Sequence, residues 1–353
     1  VLMTTLILVA GHSDRIRTRG SLGGAASRET IFLLNNLFLT AVMLTVLVGT
    51  LYPLVAEAIR GVKVSVGEPF FNRMAVPAMT ALIFLMGVGP ALPWGSTTWE
   101  EARRRLTSPL IGAAVTTIIA LVAGTRSVYA ILAFAFVGYA AMSNLREFWI
   151  GMGARRRAHG ESWPVAFVRL LRGNGRRYGG YVAHIGALLV AIGITASATF
   201  RTEREATLVP GQTMTVAGRT VRLKGVWGRE EPQRSVIGAT LEIVGKNGVA
   251  TGTIEPRMNY YRVSDQPVPT PDVSSSIRGD LYANLMAFDS KGAHATVKVI
   301  VEPLVPWIWF GGLVVVIGAV IGMTYGRRTR REMVTSYVTV PRETPAPNLE
   351  PVL

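Results

Sequence analysis

Cysteine is absent from the 353 residues, so disulfides and thiolate metal sites are excluded. Charge is scarce too. Only 17% of the residues are charged against 49% hydrophobic, and the mean hydropathy is +0.35. That balance excludes a soluble enzyme and describes an integral membrane protein. Acids are the scarcer sign, 22 against 37 Lys and Arg, for a formal net charge of +15. Nucleic acid is not an expected partner, because it needs a soluble basic face. No Gly-rich phosphate loop, His-Glu-x-x-His pattern or credibly placed Ser-His-Asp set is present.

Long apolar runs are what the chain has instead. Six segments approach the roughly 20 residues of a crossing helix: 30–55, 74–94, 109–125, 128–150, 181–200 and 304–325. The third and fourth are joined by Gly124-Thr125-Arg126-Ser127, as a tight helical hairpin or as one broken crossing. Residues 1–10 are apolar but short. No basic stretch precedes them and no small-residue cleavage site follows, so they read as a truncated transmembrane helix, and the chain as the C-terminal part of something larger.

Arginine sets the orientation. Arg15, Arg17, Arg19 and Arg28 precede the first full segment, and Arg103, Arg104 and Arg105 precede the third. Seven arginines lie between Arg155 and Arg177, and Arg327, Arg328, Arg330 and Arg331 follow the last segment. With alternating spans all four groups share one side, and the opposite short loops carry only Arg60, Lys63, Arg73 and Arg126. The positive-inside rule makes the arginine-rich side cytoplasmic.

Residues 201–302 then lie outside. They alternate in short stretches, 212–216, 219–226, 237–244, 249–254 and 295–301, with Lys246-Asn247-Gly248 and Asp289-Ser290-Lys291-Gly292 as turns. The expected fold is a polytopic α-helical membrane protein, six full transmembrane helices plus the truncated one, with an inserted extracytoplasmic all-β domain, a small barrel or sandwich of about 100 residues. Residues 265–276 read as a surface loop. The organisation is a truncated helix at 1–10, a helix bundle at 11–200, the β-domain at 201–302, a final helix at 303–326 and a disordered basic, proline-rich tail at 327–353. Between the fourth and fifth spans, residues 162–172 predict an amphipathic helix lying on the membrane surface. Ser162 caps it, Pro164 sits in its first turn, and Trp163, Phe167, Leu170 and Leu171 share a face.

His184 is the candidate functional residue. It is the one histidine of four inside a span, about one turn into the helix taken to start at Tyr181, roughly 5–8 Å inside the cytoplasmic boundary. Gly180, Ala187 and Ala191 share its face, with Thr195 further along. Such a groove suits close helix packing with a hydrogen-bonded histidine, or a flat macrocycle whose iron the imidazole ligates. His12, His159 and His294 are too far away to complete a pair. Phe70 and Phe71 dip into the membrane interface or floor an apolar site, and Glu68 is a lone carboxylate. Trp307 and Trp309 fit an aromatic belt or a haem-stacking role, and Asn35 and Asn36 a hydrogen bond between helices.

An ordered set of motifs resembles the CcmF-type cytochrome c haem lyases and their NrfE relatives, over their C-terminal half. It runs Arg28-Glu29, Leu34-Asn35-Asn36, Gly49-Thr50-Leu51-Tyr52-Pro53, Ser65-Val66-Gly67-Glu68-Pro69-Phe70-Phe71-Asn72 and Gly87-Val88-Gly89-Pro90. It continues with Tyr178-Gly179-Gly180-Tyr181-Val182-Ala183-His184-Ile185-Gly186, Gly279-Asp280-Leu281-Tyr282 and Pro303-Leu304-Val305-Pro306-Trp307-Ile308-Trp309 with Gly311-Gly312. The resemblance implies a bacterial cytoplasmic (inner) membrane protein that joins haem vinyl groups to the thiols of an apocytochrome c Cys-x-x-Cys-His motif on the outer face. It implies a transmembrane haem b with His184 as one axial ligand of its iron and the other upstream, besides a transient substrate haem. Its partners would be the haem chaperone CcmE, apocytochrome c, thiol-reducing CcmH/CcmI-type subunits and a quinol electron donor. The tryptophan-rich catalytic region would precede residue 1, so no catalytic residue is expected here and the stretch alone should be inactive. A cysteine-free chain would also avoid cross-linking to substrate thiols. The other readings are a haem-handling transporter and a non-catalytic scaffold of the maturation complex.

Overall fold

The computed structural model describes residues 27–92, 98–245, 247–262, 266–289 and 292–325, with Thr4 and Gly11 besides. The helix expected at 1–10, His12, the arginines before Arg28, and the tail from 326 lie outside the described residues, as do the turn residues Lys246, Ser290 and Lys291. Six helical stretches among the described residues are long and apolar enough to cross a membrane.

One compact unit comprises residues 1–124 and 131–147. It holds α1 (Arg28–Arg60), α2 (Glu68–Ala91), α3 (Trp99–Thr107), α4 (Leu110–Val122) and the middle of α5 (Val128–His159). Ser27 caps α1, its Oγ accepting from Thr30 N at 3.3 Å. Phe70 and Phe71, in the first turn of α2, stack edge to face and fill the space left by Gly49 of α1. Ser143 of α5 donates to Gly87 O of α2 at 2.6 Å. Thr116 of α4 donates to Phe134 O of α5 at 2.7 Å, beside the close approach of Gly112 and Gly138. The third and fourth spans are therefore a side-by-side hairpin, not a broken crossing.

Two expectations change in this unit. The arginine loop before Pro109 is largely the helix α3, with Thr98 accepting from Glu101 N, acids in its first turn and arginines in its last, an order that suits the helix dipole. Asn35 and Asn36 make no hydrogen bond to another helix among the described residues. Both lie on α1, most of whose large apolar side chains are exposed.

The second unit comprises residues 125–130 and 148–353. It holds the end of α5, α6 (Trp163–Gly173), α7 (Gly175–Thr199), ten strands and α8 (Pro306–Tyr325). α6 forms at the residues expected to be helical, although the Ser162 side chain makes no capping bond.

The strands are β1 (Thr202–Leu208), β2 (Thr213–Val216), β3 (Arg219–Glu230), β4 (Arg234–Val244), β5 (Ala250–Ile254), β6 (Arg257–Tyr261), β7 (Val268–Thr270), β8 (Asp272–Ser274), β9 (Gly279–Phe288) and β10 (Ala295–Pro303). One antiparallel sheet runs β1-β10-β9-β8 and the other β2-β3-β4-β6-β7, with β5 also on β4. Their inner faces alternate as half-buried strands do. Leu208, Leu281, Leu285, Val297 and Val299 from the first sheet meet Val221, Leu223, Leu241 and Ile254 from the second. This is a sandwich rather than a closed barrel. Part of the expected 265–276 loop is paired as β7 and β8.

α7 and α8 run antiparallel with almost no side chain between them. Gly179, Gly186 and Gly193 recur every seven residues on one face of α7 and meet α8 around Gly318, Gly311 and Ile308. A Cβ on Gly186 would stand 2.5 Å from Val315 N. Gly186→Val therefore separates the helices and destabilises the protein by roughly 1–3 kcal/mol. Gly312→Ala, whose Cβ meets nothing within 4 Å, leaves stability unchanged or raises it by up to about 1 kcal/mol. Thermal unfolding of the detergent-solubilised protein checks both.

Candidate functional site

His184 stands tenth in α7, because the helix begins at Gly175 rather than at Tyr181. The two basic residues Arg176 and Arg177 occupy the helix's first turn. The imidazole is thus about 14 Å along the axis from the helix start. Its ring is half-buried, and its Nδ1 is shielded from solvent.

The faces of α7 divide the work. The glycine face is closed by α8. A second face carries Tyr178 and Tyr181, packed with Phe148 of α5 and Leu170 of α6. The third carries His184 with Gly180, Ala187 and Ala191, and the space in front of Gly180 is open. Tyr181 is a ring neighbour of the histidine, at 6.5 Å between ring centroids and 52° between planes. It is itself fixed by Tyr178 at 5.8 Å, by Phe148 at 6.0 Å and by Arg177, whose Nε donates to the Tyr181 hydroxyl at 3.2 Å. This collar was not expected from the sequence. Its signal was the spacing of Tyr178, Tyr181 and His184, three residues apart and overlapping on the helix surface.

The other candidates stand on other elements. Glu68 is exposed in the first turn of α2, His159 ends α5, and His294 is exposed in the β9–β10 turn. Among the described residues no group of three or more His, Cys, Asp or Glu side chains can hold a metal ion. Trp307 donates from Nε1 to Ile277 O at 3.2 Å, tying the start of α8 to the β-domain, while Trp309 is 80% exposed, as an interfacial belt residue is.

A family model described as the CcmF C-terminal beta-sandwich matches residues 199–303, the stretch that forms the two sheets. The cytochrome c-type biogenesis protein CcmF of Pseudomonas fluorescens is 32% identical over 296 residues, 84% of this chain and 43% of that protein. CcmF of Escherichia coli is 27% identical over 328 residues, 93% of this chain and 48% of its own length. NrfE of Haemophilus influenzae is 26% identical over 310 residues, 87% and 45%. A solved structure of the cytochrome c heme lyase CcmF superposes over 85% of this chain and 46% of that one, with TM-score 0.64 and 27% identity. The chain belongs to the CcmF family. It spans about half the length of these relatives.

In this CcmF-type chain the Gly279-Asp280-Leu281-Tyr282 motif forms the base of the sandwich. Gly279 has φ +141, and a Cβ there would stand 2.5 Å from Glu302 O, so no other residue fits without strain. Arg219 Nη2 donates to Gly279 O at 2.8 Å, while Asp280 is buried opposite Glu302. The motif locks β9 to β10 where the chain turns into α8.

One carboxylate ties α6 to the end of α5. Arg155 donates to Glu161 from Nε at 3.0 Å and from Nη2 at 2.9 Å, and Arg169 donates from Nη1 at 2.8 Å. These bonds, with Arg155 the larger contributor, hold the Glu161 carboxyl down at about 2. A depressed carboxyl stabilises the fold fully above its unfolded value near 4.5, and that contribution disappears as pH falls through about 2. Glu161→Gln should raise amide exchange across residues 163–173 already at pH 7. The unsubstituted protein should lose the same protection only in acid, between those two values.

Proposed function

We propose that this chain works as the C-terminal part of a cytochrome c haem lyase and that His184 is one axial ligand of a b-type haem among the spans. The observation that carries this reading is the third face of α7, a half-buried imidazole inside an apolar helix next to Gly180, which has empty space before it. That face fits a flat ring approached from one side. The described residues supply one such ligand, so the second comes from a segment outside residues 27–325.

The chain's own residues position the group. Tyr181, clamped by Phe148, Tyr178 and Arg177, restricts the His184 rotamer. Gly180, Ala187 and Ala191 leave room beside it. When bound, the haem supplies a one-electron relay whose potential is set by its ligands and by burial.

The substrate chemistry lies on the outer face, by the orientation that the arginines give. Each thioether forms when a thiol S–H adds across a vinyl C=C of the substrate haem, so nothing leaves. The haem chaperone CcmE delivers that haem, CcmH/CcmI-type subunits present apocytochrome c with reduced thiols, and quinol supplies electrons. The β-sandwich stands on this side, held at both ends by α7 and α8, and serves as the docking body.

His184→Ala in the complete protein should abolish the b-type reduced-minus-oxidised absorbance and stop holocytochrome c formation, while the protein still accumulates in the membrane. An unchanged difference spectrum would overturn the assignment.

A further inference from the structure

The end of α5 and the start of α6 enclose a cleft that the haem reading leaves unused. Trp149, Ile150, Gly153, Arg156, Arg157 and Trp163 line about 500 Å³, inside the roughly 300–1,000 Å³ range of small-molecule sites. One wall is aromatic. Trp149 and Trp163 lie 4.6 Å apart at 30°, and Trp149 is 65% exposed.

The other wall is cationic. Arg156 Cζ sits 4.3 Å over the Trp163 ring, and its Nε donates to Glu161 O at 3.2 Å. The guanidinium plane is thereby fixed, with its Nη hydrogens left for an acceptor. Glu161 is the sole acid from 148 to 202, and Arg155 and Arg169 occupy its carboxylate. Among the described residues, therefore, neither Arg156 nor Arg157 has a carboxylate partner.

A ligand for this cleft needs an anion for two guanidiniums and an apolar body for two indoles and Ile150. Guanidinium binds phosphate oxygens through paired N–H groups, and tryptophan prefers the headgroup level of a bilayer. An amphipathic helix such as α6 suits that level, with its apolar face toward the lipid. We propose that the cleft binds the headgroup of an anionic phospholipid, of the phosphatidylglycerol class, from the arginine-rich leaflet. A free phosphate would have no use for the tryptophan wall, and a zwitterionic headgroup would bring its own cation against the arginines. The site is independent of His184.

Native mass spectrometry of the complete, detergent-purified protein tests this, with phosphatidylglycerol and phosphatidylcholine offered in turn and inorganic phosphate as competitor. The protein should retain phosphatidylglycerol preferentially. R156Q/R157Q should reduce that preference roughly tenfold or more, and R172Q/R176Q, on exposed arginines outside the cleft, should leave it unchanged. R157Q alone keeps the Arg156 bond to Glu161 and should still lower the preference, which covers a misfolded double variant. An unaltered preference in R157Q and R156Q/R157Q overturns the proposal. So does an equal loss in R172Q/R176Q, which would mean surface charge without a site, or displacement of the lipid by inorganic phosphate. The b-type spectrum should be unaffected in every variant, so this test fails or succeeds apart from the haem assignment.

Discussion

Helices in lipid gain nothing by hiding apolar surface from one another, because the surrounding tails are equally apolar. Closeness of backbones must do the work, and the seam of α7 and α8 provides it. Gly179, Gly186 and Gly193 bring the two main chains together, at a spacing no larger residue allows. Everything else on α7 follows from where that seam lies. With one face against α8 and the tyrosine face against α5 and α6, a single face remains, and it carries the histidine.

Charge is handled with similar economy. Seven arginines crowd residues 155–177, and one glutamate answers them. Glu161 is spent on two of the seven, holding α6 at the end of α5. Of the rest, Arg156 stacks on Trp163, Arg177 donates to Tyr181, and Arg157, Arg172 and Arg176 are exposed.

The spans were legible because apolar length is a strong signal, and only their ends shifted, α7 starting six residues before the run that marks it. The polar α3 was hidden, since nine residues rich in Arg and Glu resemble any solvated loop. In the sandwich, β1 carries the sequence Thr-Glu-Arg-Glu-Ala-Thr-Leu, which favours helix, and only its pairing with β10 makes it a strand. β7 and β8 are three residues each, too short to show alternation. His184 was visible as a lone ionisable group in an apolar run. Of the tyrosine collar only the spacing of Tyr178, Tyr181 and His184 shows in the sequence, because Phe148 and Leu170, which fix it, are remote and only packing brings them to α7.

The β-domain leaves the membrane from α7 and returns through α8, and its first and last strands are paired, Thr202 opposite Val301. A body on two adjoining stalks cannot swivel as one on a single tether does. Force applied to its rim is passed down both stalks to the glycine seam. The same geometry makes the domain a cassette, since two neighbouring helix ends would tolerate a different insert, or a short hairpin, without the buried halves registering the exchange.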